Sequence, residues 1–486
     1  MPEQTLKNKA IKGIAWNTLE KFSVSGASFF IGIMLARLLM PSDYGLIGML
    51  SIFFAFSELF VTSGFSSALI QKTDRTEIDY STIFYYNLVV AIGFYIILFF
   101  TAPKIADFFK EPQLVILTRV LSINLIFNSL SLVQQTRLKI KLDFKTQAIV
   151  SLISVVVGGS IGIFTALKGF GVWALVVQSS SIALVRAILF MTFNKWIPKL
   201  VFSSSSFKQL FGFSSKLLIA GVASTILNNI YSILIGKMFS ARDTGYYTRA
   251  RQYPELLSDT ITSILQGVTF PILSALQDNK ERMISVFSRT MRLIVLLVIP
   301  ALTMFAILSE PFIRLFLTEK WMPVVPLLQW LCFARMITPI SALNLTILTA
   351  TGRSDLFLIA DSSKIPTLIL ALIITVPLGL KAIVIGNFLT SFLNFFINAY
   401  FPGKIYGFGA FRQLKEMRLV IFATLIMAAS VIGIMISLPT DLLKLLVCIP
   451  AGIIIFIASA YLLKINELNY IIEVINSMIG KKVIKF

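Results

Sequence analysis

The chain has 486 residues, 57% of them hydrophobic and only 14% charged, with a formal net charge of +20 and no histidine. A water-soluble chain holds about 25% charged residues, so this composition, with a mean hydropathy of +0.86, excludes a soluble globular protein and describes a polytopic membrane protein. Without histidine the usual proton shuttle and the commonest metal ligand are missing. Cys332 and Cys448 each sit inside an apolar run and offer neither a disulfide framework nor a Cys-based metal site.

The apolar runs extend over about twenty residues, as membrane helices do, instead of alternating over about ten as barrel strands do. Lys7, Lys9 and Lys12 precede the first run, but Asn17, Glu20 and Lys21 make it too polar for a signal peptide, and it is expected to be retained. Fourteen spans are predicted, at about 12–40, 44–65, 82–103, 114–137, 144–167, 169–193, 208–240, 244–275, 287–309, 323–350, 355–378, 380–401, 418–438 and 443–463. Loops are short, and none could hold a folded extramembrane domain. With the N-terminus inside, inner loops and tails hold 24 Lys and Arg against eight in outer loops, a bias that puts both termini in the cytoplasm. Much of the positive charge is therefore topology and contact with anionic lipid, not nucleic-acid binding. The segment 465–486 reads as an amphipathic helix on the cytoplasmic surface.

The first span ends in Leu35-Ala36-Arg37-Leu38-Leu39-Met40-Pro41-Ser42-Asp43-Tyr44-Gly45, and two hundred residues later Ile235-Gly236-Lys237-Met238-Phe239-Ser240-Ala241-Arg242-Asp243-Thr244-Gly245 repeats that ending. Pro103-Lys104-Ile105-Ala106-Asp107-Phe108 parallels Pro311-Phe312-Ile313-Arg314-Leu315-Phe316, and Gly171-Val172-Trp173-Ala174 parallels Gly379-Leu380-Lys381-Ala382. Chance similarity among apolar helices is the rival, but the matches include Asp, Gly and Pro in one order. The predicted fold is all-α: two six-helix lobes (1–200 and 201–403) related by a pseudo-two-fold repeat, plus two appended helices and a cytoplasmic tail (404–486).

Eleven basic but only five acidic residues fall within spans. A charge at the bilayer centre costs about 2.5–3.5 kcal/mol on insertion scales, so these side chains should face water or one another. A positive surplus suits an anionic cargo, and guanidinium suits phosphate. Arg335, mid-span, Arg249 and Arg251, ahead of Pro254, and Lys21 beside Glu20 are the main substrate-binding candidates, with Arg119 and Lys216 behind them. For Lys21 a local ion pair is the rival; for Arg249 and Arg251, an interfacial belt around Tyr246 and Tyr247. Arg37, Lys237, Arg186 and Arg292 lie nearer helix ends and are expected to snorkel. Lys364 and Asp361 are expected to neutralise each other. Glu58 and Asp259 are candidates for coupling to H⁺ or Na⁺, against structural pairing with Lys21 or Arg251. No catalytic constellation, phosphate loop or metal site is present, and no cofactor is expected. Gly26-Ala27-Ser28 is expected to mark close helix packing.

The turn Ala36–Gly45, Ser67-Ala68-Leu69-Ile70-Gln71, Gly245-Tyr246-Tyr247-Thr248-Arg249-Ala250, Phe270-Pro271-Ile272-Leu273-Ser274 and Thr351-Gly352-Arg353-Ser354-Asp355 resemble bacterial polysaccharide transport flippases. These are the Wzx-type O-antigen and exopolysaccharide exporters of the multidrug/oligosaccharidyl-lipid/polysaccharide superfamily. The resemblance covers essentially the whole chain. It implies two lobes around a central cavity in the bacterial inner membrane. It also implies flipping of undecaprenyl-diphosphate-linked oligosaccharide by alternating access, with membrane lipids and polysaccharide polymerase machinery as partners and no nucleic acid. The family has no motif that fixes binding residues. The rival readings are a cation-coupled drug exporter of the same superfamily, which would want an acid-rich cavity, and a glycan polymerase or glycosyltransferase, which would want a large outer loop.

Overall fold

The computed structural model describes residues 3–62, 64–72 and 74–468, with side chains from Trp16 onward except Asn17 and positions 213, 216, 217, 220, 223, 264, 265, 267 and 268. The expected surface helix at 465–486 lies almost wholly outside the described residues, and so does the side chain of Lys216. The chain divides into two compact units, Met1–Thr248 and Arg249–Phe486.

Unit 1 holds α1 (Glu3–Leu38), α2 (Pro41–Thr62), α3 (Phe65–Gln71), α4 (Glu77–Phe109), α5 (Leu114–Leu121), α6 (Ile123–Ile140), α7 (Phe144–Leu167), α8 (Trp173–Asn194) and α9 (Ser204–Met238). The next helix, α10 (Ala241–Ala275), begins in unit 1 and continues into unit 2. Unit 2 adds α11 (Lys280–Ile307), α12 (Ser309–Phe312), α13 (Val324–Ala350), α14 (Ser354–Ser362), α15 (Lys364–Thr375), α16 (Leu380–Tyr406), α17 (Ala410–Ser437) and α18 (Asp441–Leu462). Among the described residues there is no strand, and 12 segments are long and apolar enough to cross a membrane. The expected spans at 208–240 and 244–275 are not among the 12; they fold as α9 and α10, each of 35 residues.

Small residues set the helix spacing in unit 1. A Cβ on Gly158 would come 2.4 Å from Ile182 of α8, and one on Gly159 would come 2.2 Å from Ile31 of α1, so α7 packs tightly on both neighbours. Gly26, by contrast, has nothing within 4 Å of its Cβ position, and the close packing expected there is found on α7.

The repeated turn folds twice in the same way. Asp43 Oδ2 accepts from the Met40 amide at 2.8 Å, and Asp243 Oδ2 accepts from Ser240 N at 3.3 Å and Oγ at 2.6 Å. The two turns lie back to back: a Cβ on Gly45 would stand 1.6 Å from the Ala241 carbonyl oxygen, and one on Gly245 would stand 1.8 Å from that of Pro41. Each recurring glycine therefore lets the other copy's backbone approach.

The α3–α4 joint is held by Asp79, fully buried, which accepts from Thr76 N at 2.7 Å in a capping box and from Lys72 Nζ at 2.9 Å. Asp79→Ala removes the side-chain half of the capping box and leaves the ammonium without this partner. It is expected to cost about 2 kcal/mol, read as a lowered Tm of the detergent-purified protein.

Candidate substrate-binding site

In unit 2, α10 and α13 run in the same register, and a polar seam joins them. Glu255 Oε1 accepts from Arg251 Nε, one turn earlier, at 2.6 Å, and from Arg335 Nη2 on α13. Asp259, one turn further along α10, lies within electrostatic reach of Arg335, Glu255 and Arg251. Ser258 Oγ donates to the Arg335 carbonyl at 3.1 Å, and Gln266 Nε2 donates to Thr346 Oγ1 at 3.2 Å. Side chains of Arg251, Glu255 and Arg335 are 20%, 22% and 23% exposed, open enough for a ligand to reach and enclosed enough for charge to count. Two guanidinium groups thus share one carboxylate oxygen. With Asp259 ionised the cluster is formally neutral, so the positive surplus counted along the chain does not persist here.

Each of the other described candidates has surroundings of its own. Arg249 is buried, with Nη1 donating to Gln252 Oε1 at 2.5 Å and its guanidinium 6.0 Å from the Trp321 ring centre. Arg119, in unit 1, donates to the Phe99 carbonyl at 3.2 Å and lies 4.4 Å from that ring. Lys21 stands on the exposed side of α1.

Unit 1 has its own intramembrane polar core. Glu20 on α1 accepts from Gln147 Nε2 at 3.0 Å and Ser151 Oγ at 2.7 Å, both on α7. Glu58 on α2 accepts from Asn128 Nδ2 on α6 at 3.3 Å. Arg186 of α8, expected to snorkel, faces both carboxylates within the unit and acts on them through space. Arg292, also expected to snorkel, is instead clamped by Glu416 and Glu467. Lys364 and Asp361 pair at 2.8 Å, as expected.

Counted from the two matched turns, Glu58 and Asp259 stand at equal depth to within one residue. Each acid therefore stands at one level of the helix that follows its turn, with a polar partner two membrane spans on, Asn128 for Glu58 and Arg335 for Asp259. Sequence reading missed Glu255 as the group that joins the two arginines. Its spacing of four residues from Arg251 was the available signal.

Two cavities flank the seam. One of about 500 Å³ is apolar and lies between α11, α17 and α18, reaching Leu257 of α10. The other, of about 470 Å³, lies between α10, α13 and α14 and is lined by Gln266, Phe270, Thr346, Thr349 and Phe357 among others.

Charged clusters inside membrane-spanning helices mark substrate or ion pathways, and an all-helical membrane protein that carries them has the build of a transporter. Residues 34–326 match the family model described as polysaccharide biosynthesis protein, and the chain belongs to that family. It is 28% identical to the teichuronic acid biosynthesis protein TuaB of Bacillus subtilis, over 67% of this chain and 68% of that one. It is 26% identical to the succinoglycan biosynthesis transport protein ExoT of Rhizobium meliloti, over 68% and 67% of the two chains. The fold is similar to that of the lipid II flippase MurJ in an inward closed conformation, with a TM-score of 0.75, 15% identity, and 92% and 98% of the two chains covered. The protein is a multi-pass membrane transporter, not an enzyme.

Proposed function

We propose that the protein is a flippase carrying undecaprenyl-diphosphate-linked oligosaccharide from the inner to the outer leaflet of the bacterial cytoplasmic membrane by alternating access. The observation that carries this reading is the pair of guanidinium groups on Glu255 inside the membrane-embedded seam. Glu255 stands where a phosphate would. A diphosphate that displaces it gains two planar, multi-donor partners of the kind suited to phosphate oxygens. Asp259 and Glu58 then serve as the acids through which an ion gradient could act. Lys21, Arg119, Arg249 and Lys216 contribute positive potential along the route. The apolar cavity beside Leu257 suits isoprenoid carbons, leaving the rest of the tail in lipid. In this reading, residues 1–200 and 201–403 rock against each other, both termini are cytoplasmic, and a polymerase takes the delivered cargo.

The test is transfer of labelled lipid-linked oligosaccharide across proteoliposomes, with and without H⁺ and Na⁺ gradients. Arg251→Gln and Arg335→Gln are each expected to lower transfer about tenfold or more, the value of a charge-assisted hydrogen bond, while the protein stays in the membrane. Undiminished transfer in both variants would remove the pair from the site. Ion-driven export of small cations with no glycolipid transfer would establish the drug-exporter reading instead.

A further inference from the structure

Two turns past the charge cluster, the same face of each seam helix opens into a cleft. Gln266 follows Asp259 by seven residues and Arg251 by fifteen, and Ala342 follows Arg335 by seven, so the walls begin about 22 Å along α10 from Arg251 and about 10 Å along α13 from Arg335. The cleft has a volume of about 470 Å³. Its chemistry is mixed in a particular way: two aromatic rings, Phe270 on α10 and Phe357 on α14, with Gln266, Thr346 and Thr349 as neutral hydrogen-bonding groups. It holds no charged side chain among its lining residues. Phe270 is 45% exposed, so its ring is open to a ligand in the cleft. Gln266 gives one amide N–H to Thr346, which in turn donates to the Ala342 carbonyl at 2.9 Å, so the polar wall is braced from behind. Thr349 donates back to the Thr346 carbonyl at 3.0 Å and keeps acceptor capacity for a ligand hydroxyl.

We propose that this cleft is the saccharide subsite of the transporter, taking sugar rings of the glycan that extends from the diphosphate; this rests on the flippase reading above. A sugar ring presents hydroxyls at its rim and C–H groups on its faces. Neutral donors and acceptors beside aromatic rings match that pattern, whereas a phosphate would want charge and an isoprenoid chain would want none of the polar groups. The spacing gives the order: diphosphate at Arg251 and Arg335, glycan toward Gln266 and Thr349. The subsite thus decides which glycan is accepted, and the arginine pair decides only that a diphosphate is present.

The experiment compares two probes on the full-length protein in proteoliposomes: undecaprenyl diphosphate without sugar, and lipid-linked oligosaccharide extracted from cells that make this protein. The Phe270→Ala/Thr349→Val double variant is expected to weaken binding of the glycosylated lipid about tenfold, from one lost ring contact and one lost hydrogen bond. Binding of the bare lipid is expected to stay as in wild type. Phe270→Tyr, which keeps a ring, is expected to bind both probes as wild type does, and that separates recognition from folding. Equal weakening of both probes, or no change in either, would overturn the subsite. Should the wild-type protein bind neither lipid, the flippase reading fails and the subsite fails with it, an outcome distinct from failure of the subsite alone.

Discussion

Gly45→Ala is expected to be among the most damaging single-methyl substitutions in this protein, and Gly26→Ala among the least. The added Cβ at Gly45 would lie 1.6 Å from the Ala241 carbonyl oxygen, and at Gly245 the same change would lie 1.8 Å from that of Pro41. A side chain could turn away; a backbone carbonyl tied into a helix cannot. Overpacking of an interior costs about 1–3 kcal/mol where side chains can yield, and a backbone obstruction puts both variants at or beyond the top of that range. The same chemical change at Gly26 meets open space, and alanine is favoured over glycine in a helix interior by about 1 kcal/mol. Melting temperatures of the purified variants should therefore move in opposite directions from wild type, with Gly245→Ala following Gly45→Ala. If Gly45→Ala melted like Gly26→Ala, the close crossing of the two turns would not exist in the membrane protein.

That crossing also shows why part of the fold was legible along the chain. A turn that occurs twice with the same Asp and Gly reports a duplicated helix pair, and hydropathy alone marks the apolar runs of about twenty residues. The role of the glycines was hidden, because their partner is the other copy of the turn, two hundred residues away. Depth misled in a different manner. Arg186 and Arg292 were expected to reach the surface because they stand toward helix ends. In the fold, Arg186 faces Glu20 and Glu58, and Arg292 finds acids 124 and 175 residues further along. Counting bases against acids indicated a positive interior, yet Glu255 and Asp259 sit beside Arg251 and Arg335 and balance them. Charge totals along a span carry no information on which groups meet.

The Arg292 clamp also bears on how α17 and α18 are held. Arg292 on α11 donates through Nη1 to Glu416 on α17, through Nε to Glu467 just past α18 at 2.5 Å, and to Ser288 Oγ at 2.9 Å. One cation thus fastens α17 and the segment after α18 onto α11. Glu467 is 9% exposed and Glu416 25%, so removing the cation leaves two carboxylates poorly solvated beside each other. Arg292→Leu is expected to cost about 2–4 kcal/mol, the penalty for breaking an enclosed pair reduced for the partial exposure of the arginine. The loss should lie in the stranded acids more than in the missing attraction. Adding Glu416→Gln and Glu467→Gln to Arg292→Leu is accordingly expected to recover most of the stability, since a neutral replacement of an enclosed ionic cluster is often tolerated. Unfolding of the wild type, the single and the triple variant in detergent would measure this. A triple variant no more stable than Arg292→Leu would mean that the guanidinium holds α17 by its packing and geometry, and that charge balance plays no part in docking α17 and the segment after α18 onto α11.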